Sequence, residues 1–154
     1  MDQVATAQVP ANAAAEQPAT LVAWPLRWAL RVVLTAHTLA VLVQAAFAGR
    51  FMSGDFEMLR AHFVNSQVVG ALGLAETALA VVYWRPGGGR GWPALACLGV
   101  SIAVPLQIAS GIERVIGVHV PLALAIFATS TLLTVWSWRS TFGQRRAAAA
   151  PETT

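Results

Sequence analysis

Four ionisable side chains stand within or at the edge of long apolar stretches of this sequence. His37 lies in the first stretch, His62 and Glu76 belong to the second, and His119 begins the fourth. An ionisable group in hydrocarbon is costly, so it normally faces the interior of a helix bundle and finds a partner there. The four residues therefore predict two polar contacts between helices, each with its own chemistry.

His62 and His119 form the first predicted contact, because both lie at the same end of their apolar stretches. Two neutral imidazoles on facing helices at similar depth can supply both axial ligands of a haem iron. Gln44, Gln107 and Asn65 fall in the same outer layer, where they are expected to hydrogen bond to the ligands or to the propionates. The alternative is that each histidine is a solvated helix cap in the membrane interface.

His37 and Glu76 form the second predicted contact. Counted from the arginine-rich ends of their stretches, the two residues lie at similar depth, within about two helical turns. Glu76 also follows His62 by fourteen positions, which leaves the two about 40° apart on one side of a helix. Two interpretations stay open for the pair of His37 and Glu76: a structural tie with Glu76 protonated, or a proton-coupled relay.

The apolar stretches that position these residues are long enough to cross a membrane. The 154-residue chain is 56% hydrophobic and 11% charged, more apolar than a soluble core of this size requires. A helix needs about 20 apolar residues to span the hydrocarbon, and short connections favour an all-α, four-helix transmembrane up-and-down bundle. The helices are predicted at residues 26–49, 62–84, 92–112 and 116–138, within a bundle of residues 24–139 and between disordered tails of residues 1–23 and 140–154.

Arginine sets the predicted orientation, because the chain contains no lysine. Most arginines flank one set of helix ends, so the positive-inside rule predicts cytoplasmic N- and C-termini in a multi-pass protein of the cell membrane. All six tryptophans fall at the same ends: Trp24, Trp28, Trp84, Trp92, Trp136 and Trp138. The net charge of +3 follows from these loop arginines, so the expected partner is the lipid bilayer and no nucleic acid. The single cysteine, Cys97, excludes an intramolecular disulfide.

Two stretches resemble one four-helix half of the heme A synthase family. They are RAHFVN, which contains His62, and QIASGIERVIGVHVPLALA, which contains His119. Members of that family have two related four-helix bundles, each with a ligand histidine at the outer start of its second and fourth helices. The resemblance implies one b-type haem held by His62 and His119. The sequence is also similar to small four-helix membrane proteins of GC-rich actinobacteria, which its lysine-free composition suits.

The sequence departs from the heme A synthase pattern at Leu59, where that family has a glutamate that is implicated in catalysis. The paired cysteines of some members are absent, and the chain has one bundle instead of two. The resemblance therefore implies a redox or haem-handling accessory role, alone, as a homo-oligomer or beside a respiratory-chain membrane partner.

Two functions without a cofactor also stay open. The chain is equally suited to be a packing or assembly subunit of a larger membrane complex. A proton-coupled carrier that uses His37 and Glu76 is less favoured, because four unbroken helices without repeats make a poor transporter.

Overall fold

The computed structural model describes residues 17–139 apart from Pro86 and Gly88, with the side chains from Trp24 onward. The described residues form helices and connecting turns, with no strand. The four helices are α1 (Gln17–Met52), α2 (Met58–Trp84), α3 (Trp92–Ile112) and α4 (Ile116–Arg139).

The helices form a closed ring in which each one packs against the next and α4 returns to α1. The connections are short, so successive helices run antiparallel, and the predicted all-α up-and-down bundle is confirmed. All four helices are long and apolar enough to cross a membrane. Large apolar side chains cover the outside of the bundle, with Leu74 67% and Leu132 70% exposed. This surface suits hydrocarbon and not water, as expected for a multi-pass membrane protein.

The observed bounds of α3 and α4 follow the prediction closely, whereas α1 and α2 are longer. The α2 helix begins at Met58 and not near residue 62, so His62 lies in its second turn. The α1 helix begins at Gln17 and not near residue 26, so residues 17–23 of the predicted tail are helical. Adding a residue to an existing helix is much easier than starting one, which favours extension from a stable span. The rest of the predicted tails, residues 1–16 and 140–154, lies outside the described residues.

The core of the bundle alternates between apolar and polar layers. One apolar cluster lies toward the tryptophan end and consists of Leu30, Leu34, Ala80, Ala94, Cys97 and Leu133. A second lies toward the other end and consists of Val41, Val69, Val100, Val104 and Ile126. Three fully buried polar residues lie between the two clusters along their helices: His37, Glu76 and Ser130. We call the buried polar groups at this level the middle polar layer.

Tryptophan side chains gather at one end of the bundle, opposite His62 and His119. The rings of Trp28 and Trp138 are 5.6 Å apart, which joins the start of α1 to the end of α4. Trp92 lies 5.0 Å from Trp136 and joins α3 to α4 in the same way. The Arg31 guanidinium lies 5.4 Å from the rings of both Trp28 and Trp138. Amphipathic rings in such a belt favour the headgroup region of a bilayer.

Candidate functional site

The imidazole of His62 is oriented by a backbone carbonyl of the neighbouring helix. Its Nδ1 atom lies 3.0 Å from the carbonyl oxygen of Gln44 in α1. A carbonyl oxygen can only accept a hydrogen bond, so Nδ1 must donate its proton. In the neutral ring Nε2 then carries the lone pair and is the atom able to bind a metal.

His119, in the first turn of α4, is held in the same way. Its Nδ1 atom lies 2.9 Å from the carbonyl oxygen of Gln107 in α3, and the Ser110 hydroxyl lies 3.4 Å from the same nitrogen. The side-chain amide nitrogen of Gln107 is 3.3 Å from Nε2 of His119. An amide nitrogen donates, so Nε2 is the acceptor here and again carries the lone pair. Both histidines therefore have the tautomer of a typical metal-bound imidazole, with Nδ1–H on a carbonyl.

The two imidazoles face each other across the bundle. Their ring centres are 6.3 Å apart and their planes are inclined by 50°. Imidazoles that bind one metal from opposite sides have their ring centres about 6 Å apart, from about 2 Å for each metal–nitrogen bond and about 1 Å from nitrogen to ring centre. The ring centres of His62 and His119 lie at about this separation.

Protein ligands alone do not indicate a metal site. Among residues 17–139, as far as they are described, no group of three or more His, Cys, Asp or Glu is arranged to hold a metal ion. A porphyrin supplies four nitrogens of its own to the iron, so a haem requires only the two axial ligands from the chain.

The three amides predicted for the outer layer all join it. Asn65 donates to the side-chain oxygen of Gln44 at 2.7 Å and to the carbonyl oxygen of Ala40 at 2.9 Å. These contacts join α2 to α1 beside His62. The side-chain oxygen of Gln107 is buried and has no hydrogen-bond partner among the described residues. This amide is therefore held on one side only, through its nitrogen on His119.

His37 and Glu76 meet in the middle polar layer. Nδ1 of His37 lies 3.0 Å from Oε2 of Glu76, and both side chains are fully buried. The approach is within ion-pair distance but does not have hydrogen-bond geometry, so neither carboxylate oxygen has a hydrogen bond within the described part of the chain. The Ser130 hydroxyl of α4 lies 3.5 Å from the same Nδ1 atom. An unsatisfied carboxyl group at this depth is energetically demanding, which makes the pair a candidate functional element.

Sequence reasoning missed several small polar residues that complete the two layers. Ser130 faces His37, Ser101 and Thr77 share a hydrogen bond of 2.8 Å, and Ser110 lies beside His119. Serine and threonine are common in transmembrane helices, so their presence alone does not mark a site. One sequence pattern could have indicated Ser130. It follows His119 by eleven residues, which is three turns along the same face of a helix.

Gly111 provides the space for the ring of His119. A methyl group added at Gly111 would come within 2.7 Å of Cε1 and 2.9 Å of Nδ1 of His119, whereas one added at Gly117 would meet nothing within 4 Å. We expect Gly111→Ala to lower the free energy of unfolding by about 1–3 kcal/mol, because the ring must leave its carbonyl partner. Gly117→Ala is the matched control and is expected to be neutral or stabilising, by up to about 1 kcal/mol. Unfolding in mixed micelles measures both, and equal effects would contradict this role of Gly111.

The candidate site thus has two levels: an outer layer built around His62 and His119, and the middle polar layer built around His37 and Glu76. An apolar layer of valine and isoleucine side chains separates them. Comparison of the chain with protein-family models, curated proteins and solved structures gave no match.

Proposed function

We propose that this multi-pass membrane protein binds one b-type haem, with His62 and His119 as the axial ligands. The observation that supports the proposal best is that the two imidazoles have the same tautomer and the same kind of hydrogen-bond partner. Each donates Nδ1–H to a carbonyl of the adjacent helix, and the rings face each other at 6.3 Å. A solvated helix cap requires neither a fixed tautomer nor a partner ring at this distance.

The chain's own residues have distinct tasks in this proposal. The carbonyl groups of Gln44 and Gln107 orient the two rings, and a hydrogen bond from Nδ1–H makes each imidazole a stronger ligand. The amide nitrogen of Gln107 lies 3.3 Å from Nε2 of His119 and would have to turn away to free the lone pair for the haem iron. Asn65 keeps Gln44 against α2 and so keeps the first anchor in place. When bound, the haem supplies reversible one-electron chemistry near one membrane surface.

The role that follows is a redox or haem-handling accessory protein of the cell membrane. A haem held by both His62 and His119 would have no open coordination position for a substrate, which favours electron transfer or haem carriage over catalysis. Leu59 in place of a glutamate beside His62 agrees with this. The lipid-facing helices are available to a second copy of the chain or to a respiratory-chain membrane partner. Both termini are proposed to be cytoplasmic, which puts the haem near the opposite surface.

The absorption spectrum of the purified protein tests the proposal. The full chain is expressed in a haem-replete host, purified in mild detergent, and measured before and after addition of dithionite. We expect a Soret band and sharp α and β bands on reduction, as low-spin iron with two imidazoles gives, at one haem per chain. A colourless protein that also fails to take up added haem would contradict the proposal and favour the cofactor-free assembly subunit.

A further inference from the structure

Gly73 leaves a small space in the middle polar layer, on the side of α2 that faces α1 and α3. A methyl group built on Gly73 would lie 3.5 Å from the hydroxyl oxygen of Ser101 and 3.9 Å from Nε2 of His37. Both distances are ordinary van der Waals contacts, so an alanine methyl group would fit at this position without displacing either neighbour. Two polar atoms from two other helices therefore border the same space.

One of these atoms needs a partner. The His37 side chain is fully buried, and its Nε2 atom has no hydrogen-bond partner among the described residues. A buried polar atom without a hydrogen bond is strongly unfavourable, and in hydrocarbon bulk water cannot relieve it. Nε2 borders the space beside Gly73, so whatever occupies this space is the group best placed to satisfy it.

The Ser101 hydroxyl on the other border has hydrogen-bonding capacity left. It lies 2.8 Å from the carbonyl oxygen of Gly73, to which it donates, and 2.8 Å from the hydroxyl of Thr77. Thr77 is also 2.9 Å from the same carbonyl. A hydroxyl group has one proton and two lone pairs, so the Ser101 oxygen can accept one further hydrogen bond.

We propose that one water molecule binds beside Gly73, between Nε2 of His37 and the hydroxyl of Ser101. A buried water molecule requires a small polar cavity with two or more partners, whereas cavities lined only by apolar groups stay dry. Nε2 of His37 and the hydroxyl of Ser101 are two such partners, and both lie next to the position that a side chain at Gly73 would take. The site lies one apolar layer away from His62 and His119, and it exists whether or not the chain binds haem.

The bound water connects groups that are otherwise separate. Glu76 and His37 join α1 to α2, and Ser101 and Thr77 join α2 to α3. With the water in place these contacts form one polar chain from Glu76 to Thr77, with Ser130 of α4 beside it.

Magnetisation transfer from water to the His37 ring tests the proposal. The full chain, with nitrogen-15 in its histidines, is placed in lipid bilayers and studied by solid-state NMR. The His37 signals are identified by their loss in His37→Asn. We expect a cross-peak between water and Nε2 of His37 in the wild type. No such cross-peak in the wild type would overturn the proposal.

Gly73→Ala supplies the decisive comparison, because its methyl group fits the space and displaces the water. We expect the cross-peak to disappear in this variant and to persist in Gly70→Ala, whose added methyl meets only Val104, at 3.9 Å. A cross-peak that survives in folded Gly73→Ala would overturn the proposal. Ser101→Ala is the second variant: it removes one partner of the water, so the cross-peak is expected to weaken, and an unchanged cross-peak would count against the site.

Discussion

His62→Ala and His119→Ala are each expected to abolish the six-coordinate haem spectrum, while His37→Ala retains it. Each of the first two changes removes one axial ligand, and alanine offers no replacement. The imidazole of His37 lies in another layer of the core and cannot reach the same iron. The measurement is the reduced-minus-oxidised spectrum of the purified variants, at equal protein and haem loading.

Gln107→Ala is the matched control for this experiment. The anchor of His119 is the backbone carbonyl of Gln107, which alanine keeps, so this variant is expected to retain a low-spin spectrum. Bleaching by His37→Ala alone would show that the ligands are wrongly assigned, although haem binding itself would stand. If the wild type shows the haem spectrum and the His62→Ala and His119→Ala variants match it, the assignment of these two histidines as ligands is refuted.

His37→Ala is expected to lower the free energy of unfolding by about 1–3 kcal/mol, because removal of one member of a buried polar pair leaves the other without its partner. Glu76 is fully buried, and its oxygens have no other partner in the described chain. A second change, Glu76→Gln, removes the carboxylate and is expected to restore part of the loss in the His37→Ala background. Reversible unfolding in mixed micelles gives the free energies for all four proteins.

The double-mutant cycle of His37→Ala and Glu76→Gln separates coupling from general damage to the core. Residues in direct contact show an interaction energy, whereas independent residues give effects that add. Additive effects would mean that the pair does not act as one unit, despite its 3.0 Å separation. In that case the middle polar layer would be a set of separate helix contacts.

Topology was the most predictable part of this fold, because four apolar runs of spanning length, with Glu76 the one acidic residue among them, leave few alternatives. The bounds of α3 and α4 could be predicted to within a residue, since charges or a Gly- and Pro-containing loop limit them. The start of α1 was less predictable. Pro25 is a plausible first residue of a helix, yet α1 continues through it to Gln17. A proline at that position does not reveal whether the helix begins there or passes through.

The site residues were predictable by type and depth but not by contact. His37 and Glu76 could be predicted as a pair because each stands in an apolar stretch of the sequence, and an ionisable group in a membrane span requires a partner. The carbonyl anchors of His62 and His119 could not be predicted, because every residue has a carbonyl and only helix rotation decides which one is in reach. The contact of Gly73 with Ser101 depends on the same rotation. A shift of one residue turns a helix face by about 100°, which exceeds the precision of sequence patterns.

The two carbonyl anchors also bear on the order of assembly. His62 is anchored by α1, the helix just before its own, and His119 is anchored by α3 in the same relation. The bundle is therefore a pair of helical hairpins, and each one carries an imidazole that it orients without help from the other. During synthesis the first hairpin can be finished before the second leaves the ribosome. Docking of the two completed hairpins is then the step that sets the distance between the rings.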